Sequence, residues 1–205
     1  MANRTIIFDL GKVLIDFSFD PFYEWIENHT NRTSKDVYKF LKENQLIKHY
    51  ELGNISSNYF FESLKEYLDY DCSIEFLKEL WNDIFFPIEE NIELLKELFL
   101  NKEKYKIQLG LLSNTNEEHI KYLKKHYDIF SFFDAKVFSY QIHLEKPQKE
   151  IYEYTLNLLK AKPAMTLFID DKIENVEGAK QVGIHSIHYQ PHINLKNIIN
   201  SFLKY

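Results

Sequence analysis

Four short stretches of the sequence place reactive polar side chains directly after an apolar run or beside a proline. They are Asp9 after Thr5–Phe8, Ser113-Asn114 after Ile107–Leu112, Lys146 in Glu145-Lys146-Pro147, and Asp170-Asp171 after Met165–Ile169. In an open parallel sheet, groups at the carboxyl ends of the strands gather in one crevice, which is where ligands bind. An aspartate, a hydroxyl group, an ammonium group and an acidic pair in one crevice would suit a magnesium ion and a phosphate group.

Asp9 is the candidate nucleophile. A carboxylate can attack phosphorus and form an aspartyl-phosphate, which water then hydrolyses. An aspartate at the end of a strand also commonly caps a turn, so Asp9 alone does not decide the chemistry. Its three companion stretches make the nucleophilic interpretation specific.

Asp170 and Asp171 are candidate metal ligands. Adjacent carboxylates repel each other, so a pair inside a crevice usually needs a cation. Carboxylates together with phosphate oxygens are the ligands that Mg²⁺ prefers. The metal would also neutralise charge on Asp9 and on the phosphate, so that one anion could approach another. The alternative interpretation is an acidic cap at the start of a helix.

Ser113, Asn114 and Lys146 are candidate phosphate-binding residues. A hydroxyl group and an amide that lie just before a helix can form an anion cradle with the N–H groups of its first turn. Lys146 would supply a fixed positive charge that stabilises the phosphate and the transition state. Each of these residues alone is also compatible with a structural or solvated role.

The composition limits the class of protein. The chain has 205 residues, of which 45% are hydrophobic and 27% charged, and its net charge is −6. Such a length suits one domain with a large insertion or two small domains. The acidic balance argues against nucleic acid or an anionic membrane as a partner. Cys72 is the single cysteine, which fits a reducing compartment. We therefore expect a cytoplasmic protein, a monomer or a homodimer, without a membrane span.

The apolar pattern predicts a sheet with a helical insertion. Between Pro21 and Phe86 apolar residues recur at helical spacing, which predicts about four helices. After Pro87 strands and helices alternate. Strands are predicted over 5–8, 107–112, 136–139, 165–169 and 186–189, and helices over 91–100, 116–127, 148–159 and 175–182, with Pro147 at the first position of the third. The expected fold is α/β, a Rossmann-like parallel sheet sandwiched by helices, with residues 1–16 and 90–205 as the core and 17–89 as a small helical cap.

The four stretches resemble the four motifs of the haloacid dehalogenase-like hydrolase superfamily, in the usual order and spacing and over essentially the whole chain. The resemblance implies Asp9 as nucleophile, Ser113 as the phosphate-binding hydroxyl and Lys146 as the lysine of the third motif. It also implies Asp170 and Asp171 as metal-binding acids, with the backbone carbonyl of Gly11 as a further ligand. The helical insertion resembles the cap of the cap-type-one members. We accordingly expect a Mg²⁺-dependent phosphatase that acts on a small phosphorylated metabolite.

Gly11 departs from the family pattern. The family usually has a second aspartate at this position, which serves as general acid and base and typically contributes 10²–10⁴-fold to the rate. A subgroup of bacterial sugar-1-phosphate phosphatases, the α-glucose-1-phosphatases among them, resembles this chain here and elsewhere. The similar stretches are 8–11, 51–56, 113–116 and 170–175. The resemblance favours a sugar phosphate as substrate.

Three functions remain open at this stage. The first is the phosphatase, in which a cap residue or Asp16 could replace the missing acid. The second is a catalytically weak or inactive homologue that binds phosphorylated metabolites, because Gly11 lacks the carboxylate. The third is removal of a halogen from a 2-haloacid by Asp9. That reaction needs no metal, so the Asp170-Asp171 pair argues against it.

Overall fold

The computed structural model describes residues 4–204, which form a parallel sheet, two layers of helices and a helical insertion. The strands are β1 (Arg4–Phe8), β2 (Ile15–Phe17), β3 (Phe85–Pro87), β4 (Ile107–Ser113), β5 (Ala135–Phe138), β6 (Thr166–Asp170) and β7 (His185–His188). The helices are α1 (Asp20–His29), α2 (Ser34–Glu43), α3 (Leu46–Glu51), α4 (Ser57–Leu68), α5 (Ile74–Asn82), α6 (Glu89–Leu100), α7 (Lys102–Tyr105), α8 (Glu117–His126), α9 (Ser139–Ile142), α10 (Lys149–Leu159), α11 (Ile173–Gln181) and α12 (Leu195–Lys204).

The main sheet has the order β5-β4-β1-β6-β7, and every neighbouring pair is parallel. β1 lies at the centre, and its residues Ile6, Ile7 and Phe8 are all buried. Continuous apolar strands are typical of parallel sheets that are covered on both faces. The α/β fold predicted from the sequence is confirmed.

Helices cover both faces of the sheet. On one face, Ile7 and Phe168 pack with Tyr152 of α10 and Ala179 of α11. The neighbouring residues of β1 point to the other face, since side chains alternate along a strand. There they join an apolar cluster with α6, α8 and α12, represented by Leu95, Leu123 and Ile199.

The insertion after β1 has an apolar cluster of its own. α1 to α5 pack around Phe22, Leu41, Phe60 and Trp81. The structure has five helices here rather than about four, because Leu46–Glu51 forms a separate short helix that begins after Gln45 in the left-handed conformation. The division into a core of 1–16 and 90–205 and a cap of 17–89 stays a prediction.

The elements predicted after Pro87 are present, with ends within two residues of the prediction. The position of Pro147 was wrong: α10 begins at Lys149, because residues 145–148 form a turn in which the Gln148 N–H donates to the Glu145 carbonyl. The short helices α7 and α9 had no prediction, and two larger features were also not predicted. They are the antiparallel pair β2–β3, which joins the insertion to the sheet, and α12. Within residues 4–204, no helix combines the length and the apolar character that crossing a membrane requires.

Candidate active site

The sheet topology brings three of the four stretches together. Asp9 directly follows β1, Ser113 is the last residue of β4, and Asp170 is the last residue of β6. β1 is hydrogen-bonded to β4 on one side and to β6 on the other. The order of the chain reverses at this place in the sheet, and the carboxyl ends of strands at such a reversal form the usual ligand crevice.

Lys146 connects the central strands from within the crevice. Its ammonium group lies 2.8 Å from Asp9 Oδ1 and 2.6 Å from Asp170 Oδ2, and it donates to the Leu112 carbonyl at 3.0 Å. Burial alone would lower the pKa of Lys146, but the carboxylates of Asp9 and Asp170 hold that pKa above its ordinary value. Lys146 is therefore a fixed cation in a place where water cannot neutralise its field.

Asp9 has one oxygen held and one oxygen available. Oδ1 accepts from the Leu10 N–H at 2.7 Å and from the Lys146 ammonium. No residue between 4 and 204 donates a hydrogen bond to Oδ2. Burial raises the pKa of Asp9 to about 7, although Lys146 opposes this rise and Asp170 adds to it. A bound cation would favour the ionised form that a nucleophile needs.

Asp170 and Asp171 differ in their surroundings although they are adjacent. Asp170 is fully buried, and its oxygens accept from Lys146, from the Asn175 amide at 2.9 and 3.1 Å, and from the Lys172 N–H at 2.8 Å. Asp171 is half-buried, and its carboxylate pairs with no side chain in the described part of the chain. Burial and the charge of Asp170 raise the pKa of Asp171.

The acidic cluster fits a hard cation. One carboxylate oxygen from each of Asp9, Asp170 and Asp171 lies within 4.8 Å of the other two. The backbone of Gly11 lines the same cavity. Oxygen ligands at this density are the donor set that Mg²⁺ takes, and Lys146 alone does not balance the three carboxylates. Asp9, Asp171 and the Gly11 carbonyl would be available as ligands, whereas the oxygens of Asp170 already accept several protein hydrogen bonds.

Ser113 and Asn114 lie beside Asp9 but differ in availability. Ser113 is 3% exposed, and its hydroxyl has no hydrogen-bond partner among residues 4–204. The Asn114 amide donates to the Lys146 carbonyl at 2.9 Å and accepts from the Lys146 N–H at 2.8 Å. The Asn114 side chain thus holds the backbone of Lys146 in place.

A cavity of about 200 Å³ joins these residues to the helical insertion. Its polar end contains Asp9, Ser113, Lys146 and Asp171. The remaining walls are mainly apolar and aromatic, with contributions from both the insertion and the sheet region: Ile15, Phe17, Phe19, Ile47, Trp81, Ile84, Phe85 and Leu123. Such a combination of an apolar wall and a few convergent polar groups is typical of small-molecule sites.

Two buried nitrogens at the cavity walls lack partners. Trp81 Nε1 and His119 Nε2 have no hydrogen-bond partner in the described part of the chain. The Asn116 amide lies 3.0 Å from His119 Nδ1, which places the imidazole proton on Nε2. Burial lowers the pKa of His119 to about 3, so the ring is neutral. Buried polar groups usually have partners, so these two N–H groups are unsatisfied donors in residues that line the cavity.

Sequence reasoning did not identify several residues that line the cavity. Glu51 and Trp81 lie far from the four stretches in sequence, whereas Lys172 directly follows Asp171 and His119 lies a few residues after Asn114. The residue types of these four gave no signal by themselves. Glu51 stood within the stretch 51–56 that resembles the sugar-phosphate phosphatases, and this was the available indication.

The chain belongs to the haloacid dehalogenase-like hydrolase family, because the family's profile matches residues 3–183. This membership, together with the parallel fold, confirms the predicted superfamily and the prediction of a hydrolase of this type. It leaves the subgroup undecided.

Curated relatives and a solved structure agree with this assignment. A D-ribitol-5-phosphate phosphatase of Bacteroides thetaiotaomicron is 23% identical, with 92% of this chain and 91% of the relative covered. A phosphorylated carbohydrates phosphatase of Thermotoga maritima is 25% identical, with 90% and 84% covered. The structure of a HAD family enzyme from Bacteroides thetaiotaomicron, in complex with magnesium and inorganic phosphate, superposes with a TM-score of 0.84 at 22% identity, covering 96% of this chain and 99% of that one.

Proposed function

We propose that this protein is a Mg²⁺-dependent phosphatase that hydrolyses a small phosphorylated metabolite through a phosphorylated Asp9. The observation that carries the proposal is the environment of Asp9. One oxygen is held by Lys146 and the Leu10 N–H, and the other lies unbonded among carboxylates that suit a metal ion. A nucleophile held in one orientation reacts with a smaller entropic cost.

Each residue of the crevice then has a role. The unbonded oxygen of Asp9 attacks phosphorus, while Lys146 and the Ser113 hydroxyl bind the phosphate oxygens. Asn114 orients Lys146 through its backbone and can contribute its N–H to the phosphate. Asp9, Asp171 and the Gly11 carbonyl would hold the metal, and Asp170 would hold it directly or through water. When bound, Mg²⁺ supplies positive charge that offsets the repulsion between Asp9 and the phosphate.

A sugar or polyol phosphate is the proposed substrate class. A cavity of about 200 Å³ suits a small ligand. Its aromatic walls suit the apolar face of a sugar. The relatives named for D-ribitol 5-phosphate and phosphorylated carbohydrates support this class. The resemblance of 51–56 and 113–116 to α-glucose-1-phosphatases makes a sugar 1-phosphate one candidate and a 5-phosphate another.

A weakly catalytic phosphometabolite-binding protein is the second candidate function. The observation that favours it is the absence of a side chain at Gly11, where a Cβ would lie 3.1 Å from the Phe17 ring. Halogen removal from a 2-haloacid is a third candidate, and the acidic pair Asp170-Asp171 argues against it. A cytoplasmic location and a monomeric or homodimeric state stay predictions.

Phosphate release from a panel of sugar, polyol and other small phosphates, measured with Mg²⁺ and with chelator, tests the proposal. We expect release that depends on Mg²⁺, with sugar or polyol phosphates ranked first. Measurable affinity for the same compounds without release, in folded protein, would favour the binding protein. Metal-independent halide release would favour the third function.

A further inference from the structure

We propose that Glu51, at the end of α3, is the general acid and base of the reaction, supplying the proton that the leaving group takes up. This inference rests on the proposed function. Glu51 lies on the helical insertion, yet its side chain lines the same cavity as Asp9, Ser113 and Lys146. The departing oxygen of an unactivated phosphate ester needs a proton, so a proton donor must face the crevice.

The titratable side chains that line the cavity limit the choice of donor. They are Asp9, Lys12, Glu51, His119, Lys146, Asp171 and Lys172. Asp9 is assigned to the nucleophile and Asp171 to the metal. Lys146 is held between Asp9 and Asp170.

The other cations and the imidazole are also poorly suited to donate a proton to the leaving group. Lys12 pairs with Asp16 and donates to the Phe17 carbonyl at 2.8 Å. Asp16 accepts from Lys12 and from the Phe17 N–H, so this ion pair occupies it too. His119 carries no exchangeable second proton near neutral pH, since its pKa is lowered to about 3. Lys172 is exposed to solvent.

The Glu51 carboxyl group is available as the proton donor. It is half-buried and receives no hydrogen bond from any residue in the described range 4–204. Burial raises the pKa of Glu51 to about 7, with Lys172 opposing this rise and Glu145 adding to it. A group with a pKa near the working pH can both give and take a proton efficiently.

The backbone around Glu51 is fixed to the core. The Ser139 hydroxyl donates to the Glu51 carbonyl at 2.6 Å and accepts from the Thr115 N–H at 2.9 Å. The next carbonyl, of Leu52, lies 2.7 Å from His143 Nδ1. The Glu51 backbone is thereby linked through one hydroxyl group to Thr115, two residues after Ser113, which fixes the Glu51 backbone beside the cavity.

Gly53 makes this close approach possible. Its φ is +67°, and a Cβ at this position would lie 2.1 Å from the Tyr140 carbonyl oxygen. A glycine is the residue type that tolerates both conditions. The loop that carries Glu51 is therefore built to lie directly against the core.

The two half-reactions balance around Glu51. In the first, an Asp9 oxygen forms a bond to phosphorus and the bond from phosphorus to the ester oxygen breaks. Protonated Glu51 gives its proton to that oxygen, which leaves as an alcohol. In the second, Glu51 takes a proton from water as the water oxygen bonds to phosphorus. The bond from phosphorus to Asp9 breaks, and inorganic phosphate and free Asp9 result.

Glu51→Gln, compared across leaving groups, tests the inference. For a sugar or alkyl phosphate, we expect kcat/KM to fall by about 10²–10⁴-fold. For p-nitrophenyl phosphate, whose phenolate leaves without a proton, we expect a fall of less than about threefold. Inhibition by inorganic phosphate should be unchanged. Glu62→Gln is the matched control, because Glu62 is an exposed glutamate on α4 of the same insertion, and it should leave both substrates unaffected.

The pH profile gives a second readout. For the alkyl substrate, kcat/KM of the native protein should fall as pH rises through about 7, and this limb should be absent in Glu51→Gln. The charged and titratable groups around Glu51 are Lys172 before α11, Glu145 with its partner Lys48 at 3.4 Å, His143 after α9, and Asp9 and Lys146 across the cavity. Glu62→Gln should keep the native profile.

An equal loss for both substrates, or no loss for either, would overturn the role of Glu51. These results can be distinguished from a result that would contradict the phosphatase proposal itself. If the native protein is folded but releases phosphate from neither substrate, the phosphatase proposal itself fails.

Discussion

At the scale of single residues, the three aspartates of the crevice have three different environments. Asp170 is fully buried and its oxygens accept four hydrogen bonds, so it orients Lys146 and Asn175. Asp171 pairs with no side chain in the described part of the chain. Asp9 has one oxygen held and one unbonded. In the mechanism that we propose, environment rather than residue type distinguishes the positioning carboxylate from the metal ligand and from the nucleophile.

Asp9→Asn should lower kcat by about 10³-fold or more, because an amide cannot form the phosphorylated intermediate. Steady-state phosphate release, with circular dichroism as a check on folding, measures this effect. Asp16→Asn is the control, since Asp16 forms a partly exposed ion pair with Lys12. Equal loss in the two variants would argue against a special role for Asp9.

Gly11→Asp should raise kcat by less than about tenfold, because Glu51 already supplies the proton. The new Cβ also lies 3.1 Å from the Phe17 ring, which must shift to accept it. Gly11→Asn has the same shape without the carboxylate and serves as the control. A gain of about 10²-fold or more, seen with Asp but not with Asn, would show that the native protein lacks its acid and would favour the weakly catalytic alternative.

At the scale of secondary-structure elements, the end of α3 is one of the places where the insertion is bonded to the core. Ser139 and His143 hold the carbonyls of Glu51 and Leu52, and Gly53 lies against the Tyr140 backbone. A short helix alone would not keep its last residue in place. The hydrogen bonds to the core provide this positioning.

Gly53→Ala should destabilise the protein by about 1–3 kcal/mol, because the positive φ is strained for alanine and the Cβ meets a backbone oxygen. It should also lower kcat/KM for alkyl phosphates by moving Glu51. Gly183→Ala is the matched control: its φ is +83°, but the nearest atom to a Cβ is Pro163 Cβ at 3.4 Å. Urea unfolding and kinetics on both variants measure the two effects. An unchanged kcat/KM in a destabilised Gly53→Ala would contradict the positioning role.

Much of the fold followed from local patterns. Buried strands such as Ile107–Ser113 are continuous apolar runs, and the polar residues that end them mark the crevice. α12 had a local signal that the prediction left unused, because Leu195 and Ile199 are buried at helical spacing and Asn194 accepts from the Asn197 N–H.

Local sequence patterns could not predict the antiparallel pair β2–β3 or the position of Glu51 in the cavity. β2 and β3 are three residues each and are separated by the whole helical insertion. Glu51 reaches the crevice through contacts with residues 139–143, nearly ninety positions later in the chain. Contacts between distant segments leave no periodic trace in the sequence, so only the folded structure reveals them.

At the scale of the whole molecule, the cavity lies between the sheet and the helical insertion. Its polar end consists of strand ends together with Lys146, and its aromatic walls come from both parts. The cavity is therefore shared between the sheet and the insertion. His119 lies where these segments meet, since its ring contacts Phe19, Trp81 and Phe85.

Acidification should destabilise the protein through His119. The pKa of this histidine is lowered from 6.5 to about 3 in the fold, so below pH 6.5 the unfolded chain binds a proton that the folded chain does not. Stability is therefore full above pH 6.5 and falls by about 1.4 kcal/mol per pH unit as the pH drops toward 3.

Urea unfolding at pH 7 and pH 5 measures this effect in variants. In His119→Phe the loss of stability between these pH values should be smaller than in the native protein by about 2 kcal/mol. His192→Phe, at an exposed position, should behave like the native protein. The same loss in all three proteins would show that His119 is not responsible.

The central claim is that Asp9 carries the phosphoryl group, and trapping that group tests it most directly. The protein is mixed with Mg²⁺ and a substrate that it turns over, quenched in acid within one turnover, reduced with borohydride and mapped by mass spectrometry. The account predicts conversion of Asp9 to homoserine, which requires substrate and is absent from Asp9→Asn. Reduction at a different residue, or full turnover by Asp9→Asn, would contradict it.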